Sequence, residues 1–350
     1  MIQKEMFKLD RSNMFDLIVN FPQQVEDALS LQPALPLPDI NASLQQVVFT
    51  GMGGSAIGGE LLQGLFYDQI DLPLIVNRSY DLPQFVGEST LVIAASYSGD
   101  TEETLSAAKS AAKRGASIVC VSSGGKLAKL AGKHEYGLVQ IPDGMPPRTS
   151  LGYMFFAMLT IMQEYGLMAV SPVELQETLA LLHKLAKRYG EYENPENPAV
   201  RLANALVGKV PVIYGSQEPN SALPLRWRNQ LNENSKMMAF SNLLPEMNHN
   251  EIVSWNPAGG CLNVFHALQL VDDFQSPDIS KRFEITQNII KKQGVPVTEI
   301  KSKGESRLCR TFSLLILADF VSFYLALLNH VDPTAIANID LLKEKLARSN

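Results

Sequence analysis

The amino-acid sequence predicts an α/β protein made of two doubly wound parallel sheets with helices packed around them. Three observations carry that prediction. From residue 47 to about 142, short β-branched runs alternate with helical stretches. The same rhythm restarts at Val210-Pro-Val-Ile-Tyr-Gly215. Two glycine- and hydroxyl-rich loops, Gly51-Met-Gly-Gly-Ser-Ala-Ile-Gly-Gly59 and Ser96-Tyr-Ser-Gly-Asp-Thr101, each follow an apolar run and open a helix. Parallel sheets place their ligand loops in that way, at the carboxyl ends of strands.

The elements follow in order. Residues 1–46 form an N-terminal helical segment: apolar spacing predicts a helix from Asn13 to Leu29, and Pro33-Ala-Leu-Pro-Leu-Pro38 punctuates the connector behind it. The first sheet domain spans 47–165, with strands at 47–51, 73–78, 90–96, 117–122 and 137–141. Helices at Ser55–Leu65, Thr101–Arg114 and Lys126–Gly132 lie between them, and Leu151–Tyr165 follows Pro146-Pro147-Arg148-Thr149-Ser150. Residues 166–200 read as a helical linker, because Arg188-Tyr-Gly-Glu-Tyr-Glu-Asn-Pro-Glu-Asn-Pro198 breaks the alternation. The second sheet domain, 201–350, has strands at 210–215, near 237–241, 262–267 and 296–301. It closes on an apolar helix at 306–329 and a short one at Ile336–Ala347.

Composition narrows the function classes. A net charge of −6 and the absence of a Lys/Arg block argue against nucleic acid or an anionic membrane as partner. A phosphate ligand stays possible, since backbone donors and one or two Arg residues suffice. Cys120, Cys261 and Cys309 are scattered without CxxC spacing, so they read as buried thiols in a reducing compartment. The N-terminus lacks the apolar core of a signal peptide. The most apolar stretch, Ser313–Leu328, carries Asp319 in its middle and reads as a buried helix rather than a membrane span. The expected location is the cytoplasm.

The two loops carry the chemistry. Glycine lets backbone N–H groups approach an anion, Ser and Thr add hydroxyl donors, and a helix N-terminus adds positive potential. Gly51-x-Gly-Gly-Ser lacks the Gly-Lys-Ser/Thr ending of a nucleotide-hydrolysing loop, and its glycine spacing does not fit the dinucleotide fingerprint. Helix capping alone accounts for Ser55, Ser98 or Thr101 taken singly. Recurrence of one chemistry in two neighbouring loops points instead to a phosphate cradle, and so to a sugar phosphate or a nucleotide.

Taken together, Gly51-Met-Gly-Gly-Ser, Ser96-Tyr-Ser-Gly-Asp-Thr-Glu-Glu-Thr104 and Pro147-Arg148 resemble the sugar isomerase (SIS) domain. Asn232-Glu233-Asn-Ser-Lys236, Pro245-Glu-Met-Asn-His249-Asn-Glu251 and the ending Asp319-x-x-Ser-x-Tyr-Leu-Ala-Leu-Leu-x-x-Val-Asp-Pro333 narrow the resemblance to the bifunctional phosphoglucose/phosphomannose isomerases. It covers nearly the whole chain, in order. The resemblance implies two SIS-type domains and a metal-independent interconversion of glucose 6-phosphate or mannose 6-phosphate with fructose 6-phosphate, through an enediol.

The resemblance makes Glu233 the proton shuttle and His249 the ring opener, with the histidine supplied by the partner of a homodimer. Arg148, on a proline-fixed loop, would stabilise the enediolate. Gly54, Ser55, Ser96, Ser98 and Thr101 would hold the phosphate, with Gly53 shaping the loop. Ser306 is the hydroxyl assigned to the sugar in the second half. No metal or cofactor is expected, since a carboxylate base and an enediol route require none. Two other readings compete: a non-catalytic SIS protein that senses a phosphosugar, and an isomerase or deaminase of an amino-sugar phosphate. Residues 1–46 are too short and Pro-rich for the helix-turn-helix unit of a sensor, and no N-terminal glutaminase Cys is present.

Overall fold

The computed structural model describes residues 2–40, 43–256 and 260–349. Two short helices, α1 (Met14–Val19) and α2 (Phe21–Leu29), precede the first sheet. The sequence pattern suggests one helix here. The chain breaks at Asn20 because Pro22 fits the first turn of a new helix and not the interior of an old one.

The first sheet contains β1 (Gln46–Thr50), β2 (Leu74–Asn77), β3 (Thr90–Ala95), β4 (Ser117–Ser122) and β5 (Gly137–Gln140). All pair in parallel, in the order β2-β1-β3-β4-β5. Helices α3 (Gly53–Leu65), α4 (Glu102–Lys113) and α5 (Gly125–His134) make crossovers, and α6 (Leu151–Glu164) follows the sheet. β3 is buried along its whole length, as its unbroken Thr-Leu-Val-Ile-Ala-Ala run requires.

Residues 166–200 are not a loose connection. They hold all of α7 (Pro172–Gly190), which starts with a capping box between Ser171 and Glu174, and the start of α8 (Pro198–Leu206). Leu182, Leu185, Ala186 and Tyr189 of α7 are buried in the main core.

The second sheet orders β6 (Val210–Ser216), β7 (Phe240–Leu244), β8 (Phe265–Val271) and β9 (Val297–Lys301) as β7-β6-β8-β9, again all parallel. Helices α9 (Ala222–Ser235), α10 (Pro277–Lys292), α11 (Arg307–Leu328) and α12 (Ala337–Ser349) complete this half. β7 and β8 each start three residues later than the sequence suggests. Met237 and Ala239 belong to the connection before β7, where the Ala239 N–H donates to Asn232, and β8 runs on through a buried Gln269 whose amide donates to the Phe283 carbonyl. In each sheet the first strand is central, the second lies at one edge and the third returns to the other side. That leaves a switch point beside β1 and another beside β6.

One apolar cluster joins the halves, containing Phe49, Ile93 and Val121 from the first sheet and Ile213, Leu268 and Ile300 from the second. Phe155 and Phe156 of α6 pack on Phe312 of α11 between them. Among the described residues, α11 is the one helix long and apolar enough to cross a membrane, and nearly all of it is buried within the chain. Cys120 and Cys309 are buried, and burial pushes both thiols up to about 12. Cys261, in the loop before β8, is exposed against expectation.

Candidate functional site

The N-terminus of α3 meets the loop after β3 and the segment around Arg148. A Cβ at Gly54 would lie 3.1 Å from the Pro147 carbonyl, a tight contact that the backbone there would have to yield to. Gly53 has φ +50 and Ser55 is buried. In the second loop a side chain at Gly99 would come within 1.9 Å of the Gly124 carbonyl, which closes this loop onto the one after β4. Ser96 is buried; its Oγ accepts from the Gly99 N–H at 3.1 Å and lies 2.9 Å from Thr101 Oγ1. Ser98 is exposed, with its Oγ accepting from the Asp100 N–H at 3.3 Å.

Neither α3 nor α4 has a side-chain cap. Side chains cap α7, α8, α10 and α11, through Ser171, Asn197, Ser276 and Ser306, while α1, α2, α5, α6 and α9 share the open start of α3 and α4. The uncapped first turns of α3 and α4 leave backbone donors and dipole ends facing the space between the two loops. This is the chemistry of an anion site.

Arg148 stands at the edge of that space and is 4% exposed. Its Nε donates to Asn234 Oδ1 at 2.6 Å, and its Nη2 donates to the carbonyls of Pro333 and Thr334, both at 2.8 Å. Nη1 faces Glu233 Oε2 at 3.6 Å. The guanidinium is thus clamped on two sides, with its remaining nitrogen turned toward a carboxylate that is one-third exposed.

Helix α9 holds this arrangement. Arg226, Gln230 and Asn234 recur every four residues and share one buried face, while Glu233 sits beside Asn234 on the last turn. Arg226 donates to the Arg148 carbonyl and to Asp319 of α11, and Gln230 also donates to Asp319. Asn234 donates to Ser322 Oγ at 2.9 Å. Burial raises the Asp319 carboxyl from its ordinary value, against the pull of Arg226. Lys236 closes the helix, donating to the Glu233, Asn234 and Pro333 carbonyls. Burial, with Arg148 nearby, pushes its ammonium down to about 8.

Connectivity separates the remaining residues. Glu233 lies where α9 returns to the start of β7, whereas His249 follows the far end of that strand, exposed at the end of a 3-10 turn at Glu246–His249. The strand alone spans about 15 Å, at roughly 3.3 Å per residue. Ser306 is also remote from Glu233. Its Oγ accepts from the Cys309 N–H as the cap of α11, and its N–H donates to Glu177. It precedes Ser322, the contact of Asn234, by sixteen residues on that helix, about 24 Å at ~1.5 Å per residue. His266 is packed against Thr298 and burial lowers its pKa.

Sequence reasoning missed Thr334. Its carbonyl is held by Arg148, and its Oγ1 is buried without a hydrogen-bond partner. The ending that carries the resemblance stops at Pro333, Thr334 lies one residue beyond it, and only the fold carries it back to Arg148.

An uncapped pair of helix N-termini lies beside a clamped arginine and a carboxylate from the second half, on a fold of two parallel sheets. The profile of the bacterial phospho-glucose isomerase C-terminal SIS domain matches residues 195–346. A bifunctional phosphoglucose/phosphomannose isomerase of Caldicellulosiruptor bescii is 41% identical over 335 residues, covering 95% of this chain and 99% of that one. One from Aquifex aeolicus is 36% identical, covering 86% and 90%. A solved hypothetical protein from Thermus thermophilus shares the fold at a TM-score of 0.74 and 17% identity, covering 99% and 93%. The chain belongs to the bifunctional phosphoglucose/phosphomannose isomerase family.

Proposed function

We propose that this protein interconverts glucose 6-phosphate and mannose 6-phosphate with fructose 6-phosphate, by proton transfer through an enediol. The observation that carries the reading is the Arg148–Glu233 pair set beside the uncapped α3 and α4, in a chain 41% identical to a protein of that name. The phosphate would accept from the first turns of α3 and α4, with Ser55, Ser96, Ser98 and Thr101 adding hydroxyls and Gly53 and Gly54 the close backbone approach.

The open-chain sugar then extends toward Glu233. Its carboxylate takes the proton from C2 of the aldose, the O2 hydroxyl proton passes to O1 at the enediol stage, and the carboxylate returns its proton to C1, which gives the ketose. Negative charge passes to the sugar oxygens during that transfer. Arg148 Nη1, the guanidinium nitrogen facing Glu233, is placed to receive it, and the clamp on Nε and Nη2 fixes its aim before the charge develops. Thr334, rather than Ser306, supplies the second-half hydroxyl, because its carbonyl holds Arg148 and its Oγ1 has no partner, while Ser306 is spent on a helix cap.

His249 opens the sugar ring, and it does so from a second subunit. The support is the span of β7, which keeps the histidine away from Glu233 of its own chain. The reaction so written needs no metal or organic cofactor.

The test is a coupled assay on chelator-treated protein, offering glucose 6-phosphate and mannose 6-phosphate separately and following fructose 6-phosphate. Turnover of both is expected. Silence on both, with phosphosugar binding intact, would replace this reading with that of a sensor.

A further inference from the structure

The two halves repeat one connectivity, so each feature of the first sheet has a counterpart in the second. Strand order β2-β1-β3-β4 corresponds to β7-β6-β8-β9. The loops after β1, β3 and β4 therefore match those after β6, β8 and β9. In the first half these loops leave α3 and α4 uncapped. In the second half the corresponding space is filled.

Ser96 is the first residue after β3, and its counterpart after β8 is Asp272, 2% exposed. All the surrounding elements converge on its carboxylate. Arg310 of α11 donates to Oδ1 at 2.8 Å, and Ser302, from the loop after β9, donates to the same oxygen at 3.3 Å. Asn220, from the loop after β6, donates to Oδ2 at 3.4 Å, and the Phe274 N–H donates to Oδ1 at 3.0 Å. Thr311 fixes Asn220 through a 2.6 Å hydrogen bond, and the Arg310 guanidinium stacks 4.1 Å from the Phe274 ring centre. A cation, a hydroxyl, an amide and a backbone N–H from three loops and a helix are what a bound phosphate collects.

We propose that the second half is a former oxyanion cradle which the chain seals with its own Asp272 carboxylate, leaving one phosphosugar site per chain. α10, the counterpart of the uncapped α4, is capped by Ser276, and α11 by Ser306, so neither first turn depends on a ligand, whereas α9, the counterpart of α3, keeps an open first turn. Removing the carboxylate would leave Arg310 buried and uncompensated in a ring of donors, and a small tetrahedral oxyanion has the charge and size to replace it.

The test converts Asp272 to the residue that the first half uses. Asp272→Ser, with inorganic phosphate as the probe, is compared with wild type by thermal unfolding, against sodium chloride at matched ionic strength. The variant should unfold at lower temperature in chloride and recover saturably with phosphate, well beyond any phosphate response of wild type. If it is unfolded in chloride, phosphate should restore its near-ultraviolet circular dichroism. Adding Arg310→Met to Asp272→Ser should abolish the phosphate response. Equal phosphate dependence in Asp272→Ser and wild type, or no recovery of an unfolded variant, would overturn the proposal. These readouts involve no sugar turnover, so they stand apart from the isomerase assay.

Discussion

At the scale of single residues, Glu233 is the sharpest test. Gln keeps the shape and its place beside Arg148 but cannot take a proton. Glu233→Gln should therefore lower kcat on the order of 10³-fold, the usual size of general-base catalysis, with phosphosugar affinity nearly unchanged. Isothermal titration beside the coupled assay separates the two effects, and substantial turnover by the purified variant would remove Glu233 from the proton path. The hydroxyls Thr334 and Ser306 make an opposed pair. Thr334→Val should lower kcat/KM about tenfold or more, whereas Ser306→Ala should leave kinetics alone and cost about 1 kcal/mol of stability as a lost cap. The reverse pattern would restore Ser306 as the sugar contact. Glu233 and Arg148 are legible in the sequence because their neighbours form a motif. Thr334 is not, because a free hydroxyl is defined by what surrounds it in space.

At the scale of elements, two contacts hold the halves to their helices. Arg226, Gln230 and Asn234 make α9 polar by composition, yet that face is buried against Asp319 and Ser322 of α11. This makes α9 hard to read in the sequence: its apolar stripe, Leu223, Trp227 and Leu231, runs beside a second buried row that hydrogen bonds satisfy. The strand runs of the first sheet are legible for the opposite reason, since full burial demands unbroken apolar residues. Glu177 of α7 fastens the start of α11 in turn, accepting from the Glu305 and Ser306 N–H groups. Burial alone would raise its carboxyl, but those hydrogen bonds prevail and take it from 4.5 down to about 2. A depressed folded-state pKa gives stability that is present above about pH 4.5 and lost as pH falls toward 2. Glu177→Gln should therefore flatten the pH dependence of the unfolding free energy in that window, leaving the slope outside it unchanged. An unaltered slope between pH 4.5 and 2 would mean that the anchor carries no stabilising charge.

At the scale of the molecule, the proposed mechanism divides the reaction's parts between chains. α9 brings Glu233 to the end of the second sheet that faces Arg148 and the first half's loops, while β7 carries His249 away to the other end. If ring opening needs His249 near Glu233, a single chain cannot supply both, and a two-fold dimer exchanging these turns can. The sequence locates both residues but not their separation, because spacing along a chain says nothing of which strand end a loop returns to. Mixing two inactive variants decides the matter. Glu233→Gln and His249→Ala homodimers each carry a lesion in both sites. When the variants are co-refolded in equal amounts, half of the dimers are hybrids. In a hybrid with exchanged histidines, one site collects both lesions and the other collects none. About a quarter of the wild-type rate should then return, one intact site in every second dimer. If each site is built from one chain, every site in the mixture keeps a lesion and activity stays at the level of the parents. A mixture that stays silent, although native mass spectrometry shows hybrids formed, would place Glu233 and His249 in the same subunit and require the loop after β7 to move by roughly the length of that strand, about 15 Å at ~3.3 Å per residue.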